Sequence, residues 1–550
     1  MKIKSIFILI LIVLNTYSAF AQFLQKEFII GTYLDPALTS NRNRKADSLA
    51  LVMAQEAGFN LLTGYRDDNY KKIDRSEEEI KYQLDLATQV GLKMIVADDR
   101  FFHLKPFNHI VSESVKKFYL GLNEKYRNTI YGYRLMDEPA ATDSAWILPW
   151  VRFFNKIDPE KISYVNLLPV YGFNNPKIYD EYLKTYLSDL FPSKNQLGVV
   201  SYDFYPFLKH GVRSDYFYNL EQLRIHAKGR PIWYYPNISK HLDYIEPDES
   251  HLKFESFCPL AYGAKGIIYF TYESVPKQSP YNYADALISR QGLPTKKYYI
   301  VKKINTFLRE VAGPVIFKSN YIGTYHVSNT AGFSQNPSYQ LLNPNSPIIS
   351  HISNNNILTG LFQDINEETK FYIFLINKNL VPINNVDIYF KGVGPSSLKK
   401  FSSDFKDNPS QSKGLEVNYL SKLDKSTANI NRVEGGGMVI LEGTFPANQL
   451  TASRAIVNKG LNEAGPLKAY PNPVRDKTLI RYNLTQPGPV KMILTNVLGQ
   501  EVQTLVDEVK DVRGEYFVNL HTSKLAVGVY NCIMVTQDGK QTTKIIKMPD

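Results

Sequence analysis

Eight short apolar runs recur through the first 310 residues, and their spacing limits the fold more than any other feature. They are FIIGTY from Phe28, FNLLTGY from Phe59, LKMIVADD from Leu92 and IYGYRLMDEP from Ile130, then ISYVNLLP from Ile162, GVVSYDFYP from Gly198, PIWYYPN from Pro231 and GIIYFTYES from Gly266. Successive starts lie roughly 31 to 38 residues apart. Runs that are apolar throughout, rather than alternating, suit strands buried on both faces, which means a parallel sheet covered by helices. Eight strand–helix units of this length predict a (β/α)8 TIM barrel, an α/β fold, over residues 22–312.

The segments between the runs read as helices. In RSEEEIKYQLDLATQVG, Ser76 followed by Glu79 forms a capping-box pattern, Ile80, Leu84 and Ala87 share one face, and Gly91 can close the helix. KADSLALVMAQEAG predicts a helix with Leu49, Val52, Met53 and Ala57 facing the core and an end at Gly58. In ATDSAWILPWVRFFNKIDP, Thr142 or Asp143 is the expected cap, and Pro149 is expected to kink or restart the helix.

After Gly313 the pattern changes to β-type runs separated by Asn, Gly and Pro turns, as in ILTGLFQD, KFYIFLIN and GGGMVILEG. This predicts an all-β sandwich over 313–450, a linker over 451–466, and a small all-β domain over 467–550. Cys258 and Cys532 fall in different expected domains, so no disulfide is expected and stability must come from packed cores.

The N-terminus combines a basic MKIK, the apolar run SIFILILIVL and Ala19-Phe20-Ala21, the pattern of a signal peptide over 1–21 with the mature chain starting at Gln22. The apolar run is too short to span a bilayer, and no transmembrane segment is expected in the mature chain. Lys and Arg total 64 against 53 Asp and Glu, a net charge of +11 spread without basic blocks. Charge spread in this way suits solubility or contact with anionic glycans or cell surfaces, and with no nucleic-acid motif in the chain a nucleic-acid partner is not expected. The nine His show no HExxH or HxxxH spacing, and there is no GxSxG, P-loop or dinucleotide fingerprint, so neither a metal nor a cofactor is expected.

Barrel chemistry sits at the C-terminal strand ends. Those ends carry Tyr33 and Asp35; Tyr65, Arg66, Asp67 and Asp68; Asp98, Asp99 and Arg100; Asp137 and Glu138; Asn166; Tyr202, Asp203 and Tyr205; Trp233, Tyr234, Tyr235 and Asn237; and Tyr272 and Glu273. An acidic, aromatic rim on a basic chain suits glycosidic cleavage, in which one carboxylic acid protonates the leaving oxygen and a second group stabilises or attacks the anomeric carbon. Crowded acids also raise one another's pKa. Other readings stay open at each position. DEP at a strand end also forms a turn with a helix cap, Asp203 could pair with Arg66 or Arg100, Asp98-Asp99-Arg100 could be a rim ion-pair network, and Trp233 with its Tyr neighbours could be packing.

The chain resembles known families in several places. AYPNPVRDKTLIRYNL, VLGQEV, LAVGVYNCIM and KQTTKIIKM resemble, in order, the type A C-terminal sorting domain of type IX secretion. The resemblance implies a Bacteroidota-type bacterium, the type IX machinery as partner, and secretion or surface attachment through the periplasm. The barrel resembles glycoside hydrolases of the large (β/α)8 clan, whose acid/base Glu at the end of strand four matches Glu138. That clan has Asn-Glu there and a nucleophilic Glu on strand seven. Here the pair is Asp137-Glu138, and RPIWYYPNIS holds no carboxylate.

The Asp-Glu pair is similar to that of substrate-assisted enzymes such as β-N-acetylhexosaminidases, in which the Asp orients the substrate's acetamido group. Tyr202-Asp203 is similar to the Tyr-Asp of chitinase-type barrels. These likenesses imply a secreted carbohydrate-active enzyme with Glu138 as general acid, Asp137 as orienting group and Asp203 as second carboxylate. Tyr202, Tyr205, Trp233, Tyr234, Tyr235, Asn237, Asp98, Arg66 and Glu273 would bind the carbohydrate substrate. The alternative is a non-catalytic glycan-binding or surface protein on a degenerate barrel.

Overall fold

The computed structural model describes residues 23–39, 41–64, 76–98, 112–173, 175–189, 197–277, 279–327, 341–404, 413–420, 425–446, 467–470, 472–484, 488–510, 514–523, 525–537 and 539–549. The expected signal peptide, Arg66 and its neighbours Tyr65, Asp67 and Asp68, and Asp99-Arg100 lie outside the described residues. No helix among the described residues is long and apolar enough to cross a membrane.

Eight parallel strands close into a barrel: β1 (Ile29–Tyr33), β2 (Leu61–Leu62), β3 (Lys93–Ala97), β4 (Ile130–Asp137), β5 (Ile162–Leu167), β6 (Val200–Asp203), β7 (Ile232–Tyr235) and β8 (Gly266–Phe270). Each strand pairs with its sequence neighbours, and β8 closes on β1 from Ile29↔Gly266 to Tyr33↔Phe270. Alternate residues sort into two layers. Ile29, Tyr33, Ile95, Tyr164, Trp233, Tyr235 and Ile268 fill the lumen, while Ile30, Met94, Val96, Tyr202, Tyr234 and Ile267 meet the outer helices.

The helical layer consists of α1 (Arg44–Glu56), α2 (Glu77–Val90), α3 (Glu113–Tyr126), α4 (Ser144–Ile157), α5 (Pro176–Lys184), α6 (Tyr216–Ala227), α7 (Glu249–Ala261) and α8 (Lys296–Phe307). Helix α2 starts as expected, with the Ser76 hydroxyl accepting Glu79 N–H at 3.2 Å, and ends at Gly91 in the left-handed conformation. Helix α1 keeps part of its expected face: Ala57 is buried and Met53 packs on the core, but Leu51 and Ala54 are buried beside them and Leu49 is 61% exposed. The cause is polar: buried Asp47 accepts Thr39 N–H at 2.7 Å and Tyr82 O–H at 2.6 Å, and this fixes the helix's rotation. Pro149 neither breaks nor restarts α4, which runs through it, and Asp143 instead accepts Ala140 N–H at 2.8 Å in a short 3-10 turn before the helix.

A six-stranded and a four-stranded antiparallel sheet follow between Ser319 and Thr444, facing one another across an apolar core that includes Ile349, Leu361, Ile373, Ile388, Ile430 and Leu441. The outer face of the six-stranded sheet is covered too. Leu358, Phe362, Tyr372, Phe374, Ile376 and Ile440 belong to the same apolar cluster as the barrel helices. Gly360 makes that contact possible, because a Cβ there would lie 2.7 Å from Ala261 Cα at the end of α7. Residues 468–547 form a three-stranded and a four-stranded sheet around their own core, with Ile480, Met492, Leu494 and Cys532 at its centre. Both cysteines are buried and unpaired.

Candidate active site

Strand β4 carries the site because its pleat is interrupted. Arg134 pairs with Tyr164 of β5, but the next partners are Met136 with Val165 and Asp137 with Asn166, so Leu135 is bulged out. A bulge re-aims the side chains beyond it. Strict alternation from Arg134 would turn Asp137 toward the helices. With one extra residue, both face the lumen, and Arg134 Nη2 meets Asp137 Oδ2 at 3.1 Å. The Tyr33 hydroxyl of β1 donates to the same oxygen at 2.8 Å, and the Arg134 guanidinium lies 5.2 Å from the centre of the Tyr33 ring. Oδ1 of Asp137 accepts no hydrogen bond from a described residue.

Glu138 follows at φ 47°, a left-handed conformation that a non-glycine residue adopts only at a cost. The surroundings hold it there. Glu138 N–H donates to Asn166 O at 2.8 Å, Tyr182 O–H to Pro139 O at 3.0 Å and Tyr186 O–H to Ala140 O at 2.7 Å. The side chain faces the open mouth of the barrel and reaches Asp203 of β6 within hydrogen-bonding range. Asp203 is buried, and Asn166 Nδ2 donates to its Oδ1 at 2.8 Å.

Three carboxyl groups therefore share one mouth. The surrounding protein wall and then the Asp137 charge raise the pKa of Glu138, partly offset by the hydrogen bond with Asp203. Burial, then the charges of Glu138 and Asp137, hold the Asp203 carboxyl well above the ordinary range, and the Asn166 amide opposes them. The pair can hold a proton at a pH where isolated carboxylic acids have lost theirs.

The other expected residues divide by the direction of their side chains. Tyr205 lies at the mouth, edge-on to Tyr244 with ring centres 5.4 Å apart. Tyr235 faces the lumen below Asp137, edge-on to Tyr33 at 5.8 Å and bonded to the Tyr164 hydroxyl at 2.6 Å. Tyr202 and Tyr234, each one residue from a lumen-facing neighbour, point instead into the helix layer, which corrects the expectation that they line sugar subsites. Trp233 is also removed from the mouth: it is fully buried in the barrel floor, where its indole N–H donates to Gln25 at 3.0 Å.

Asp98 turns outward as well, and accepts the Tyr119 hydroxyl of α3 at 2.5 Å. Asn237 shapes the turn after β7, with its carboxamide oxygen accepting Ser239 N–H and its own N–H donating to buried Glu255. Glu273 accepts Ala37 N–H at 3.0 Å and ties the loop after β1 to the one after β8. The residues that sequence reasoning left out of the site are Arg134, Tyr171 and Tyr244. Tyr171 stands near both Asp203 and Glu138, and Arg213 caps its ring at 3.9 Å. Tyr171 sits in a short 3-10 turn and Tyr244 in a loop, where no periodicity marks them.

Comparison with curated proteins gives no match. Among solved structures, the chain is similar to a GH2 β-galacturonidase from Eisenbergiella tayi bound to galacturonate, at 16% identity and a TM-score of 0.35. The match covers 51% of this chain and 51% of that one, so the chain spans about half of that relative's length. Fungal β-1,4-galactanases match at 12% identity and a TM-score of 0.34, over 50% of this chain and 99% of theirs. A putative dihydrodipicolinate synthetase from Pseudomonas aeruginosa matches at 10% identity and a TM-score of 0.26, over 44% and 71%. Residues 468–548 match the family model of the secretion system C-terminal sorting domain. The chain thus ends in a sorting domain of the type IX machinery, which implies a secreted or cell-surface protein.

Proposed function

We propose that the barrel is a glycoside hydrolase acting outside the cell on a poly- or oligosaccharide, with Glu138 as general acid and the substrate's own acetamido group as nucleophile. The observation that carries this reading is the meeting of Glu138 with Asp203 and Asp137 at the barrel mouth. Retaining enzymes with a protein nucleophile separate their two carboxyls by about 5–5.5 Å, and inverting enzymes by about 6.5–9.5 Å. Glu138 and Asp203 perturb one another's protonation as a pair that can share one proton, and β7 ends without a carboxylate. A nucleophile that arrives with the substrate accommodates both facts.

In this mechanism Glu138 gives its proton to the glycosidic oxygen while the acetamido carbonyl oxygen attacks the anomeric carbon. The carbon–oxygen bond to the leaving group breaks and a cyclic oxazolinium forms. Asp137, held by Tyr33 and Arg134 through Oδ2, presents Oδ1 to the acetamido N–H. Water then adds at the anomeric carbon, giving its proton to the Glu138 carboxylate, and the ring opens to the N-acetyl sugar with retained configuration. Tyr205, Tyr171 and Tyr244 supply apolar faces for the sugar.

The test is turnover of aryl N-acetylglycosides and of a glycan panel by the wild type and by Glu138→Gln. A hydrolase loses turnover in the variant but keeps binding. The missing strand-seven carboxylate also suits a non-catalytic glycan-binding barrel, which would bind saccharide with no turnover in either protein.

A further inference from the structure

A second recess lies beside the aromatic wall of the site. Ring contacts connect them: Tyr205 meets Tyr244 at 5.4 Å, Tyr244 meets His241 at 4.7 Å, and His241 stacks on Tyr283 at 4.7 Å and 19°. Tyr283 lines a cleft of about 390 Å³ together with Lys209, Lys240, Leu242, Tyr281 and Asn282. That volume is within the range of small-ligand sites.

Three features make the cleft more than a gap between loops. Its walls are laced by backbone hydrogen bonds, Leu242 N to Tyr281 O at 3.0 Å, Ala284 N to Lys240 O at 2.8 Å and Lys209 N to Asp243 O at 2.8 Å, so its shape exists before any ligand arrives. Leu242 at φ 46° and Asn282 at φ 51° both hold left-handed backbone; seven non-glycine residues do so among those described, and Glu138 is another. Strain of this kind gathers at functional sites. The charge is also one-sided. The lining has two lysines and no carboxylate, although the neighbouring site is acidic. Lys209 is already engaged, with Leu242 O at 2.6 Å and Asp243 at 3.6 Å. The exposed Lys240 ammonium has no hydrogen bond or ion pair with a described residue.

We propose that this cleft is a subsite for an acidic sugar residue, with the Lys240 ammonium holding its carboxylate or sulfate ester and Tyr281 or Tyr283 supplying a ring face. The inference rests on the glycan-hydrolase reading and extends it, since it makes the substrate an acidic glycan whose charged residue flanks the sugar being cleaved. The charge is kept away from Asp137, Glu138 and Asp203, which would repel it.

Calorimetric titration of the full chain carrying Glu138→Gln tests this. The probes are a uronate-containing oligosaccharide and a sulfated oligosaccharide, each with N-acetylhexosamine repeats, and a neutral N-acetylhexosamine oligosaccharide of equal length. At least one acidic probe should bind about tenfold more tightly than the neutral one, less so at high salt, and the better of the two identifies carboxylate or sulfate. Adding Lys240→Met should abolish that preference and leave neutral binding and the melting temperature unchanged; Lys209→Met should have a smaller effect. Equal binding of neutral and acidic probes, a preference that survives Lys240→Met, or no binding of any probe overturns the subsite. Turnover of neutral glycans without an acid preference removes the subsite and leaves the hydrolase. An acid preference in a protein whose wild type turns over no glycan removes the hydrolase and leaves the subsite.

Discussion

Glu138 and Asp203, sixty-five positions apart in the chain, meet within hydrogen-bonding reach at the mouth of the barrel. Asn166 sets both, taking the Glu138 amide on its backbone carbonyl and giving its side-chain amide to Asp203. One residue of β5 thereby aligns an acid from β4 with an acid from β6.

The Asp137 charge is one cause of the raised Glu138 pKa. Activity that needs the protonated acid is full at low pH and falls as pH rises through that pKa. Asp137→Asn removes the charge and lowers the proton affinity of Glu138. The alkaline limb of the kcat/KM profile should therefore move to lower pH in the variant, alongside a lower maximal rate.

Asp203 makes a prediction about stability. Its pKa is raised in the folded protein, mainly by burial, above the value of about 3.9 for an unfolded aspartate. The native state thus binds more protons than the unfolded state between the two values, and stability falls as pH rises through that window. Asp203→Asn is neutral at every pH. Its melting temperature should match the wild type near pH 4 and exceed it by a margin that widens toward pH 8.

Tyr33 and Arg134 both hold Asp137 through Oδ2, and in the proposed mechanism they position it. A hydrogen bond to a charged group is worth about 1.5–3 kcal/mol, and Asp137 is half-buried. Tyr33→Phe should lower kcat about tenfold or more with KM little changed. A change confined to KM would place Tyr33 in sugar binding instead.

The contact between barrel and sandwich is tight enough to test with one methyl group. At Gly436, with φ 62°, a Cβ would lie 2.1 Å from Ser250 O on α7. Gly436→Ala should destabilise the protein by roughly 1–3 kcal/mol, read as a lower denaturant midpoint. Gly121, in α3, has open space around it, and Gly121→Ala there should be neutral or slightly stabilising.

The barrel was legible because its signal is long-range and redundant: eight apolar runs mark eight strands, each within a few residues of its expected place. The gathering of Asp137, Glu138 and Asp203 was legible for the same reason, since strand ends share one rim. Side-chain direction was harder to read. Tyr202 beside Asp203, and Tyr234 between Trp233 and Tyr235, obey the period of two, which an aromatic run conceals. The Leu135 bulge breaks that period where Arg134 and Asp137 need it broken, and nothing in RLMDEP announces an extra residue. Helix α1 was half legible: Met53 and Ala57 face the core as expected, but Asp47 is a buried acid whose partners lie on other elements.

The grease joining Phe362, Phe374 and Ile440 to the barrel helices has a practical outcome for anyone dissecting the gene. A fragment stopped near residue 312 would leave one flank of α7 wet and sticky, and the strands that follow, expressed alone, would bare the matching face. Both halves should clump in the tube while the intact pair stays dissolved. Barrel and sandwich would then travel as one cargo of the sorting domain.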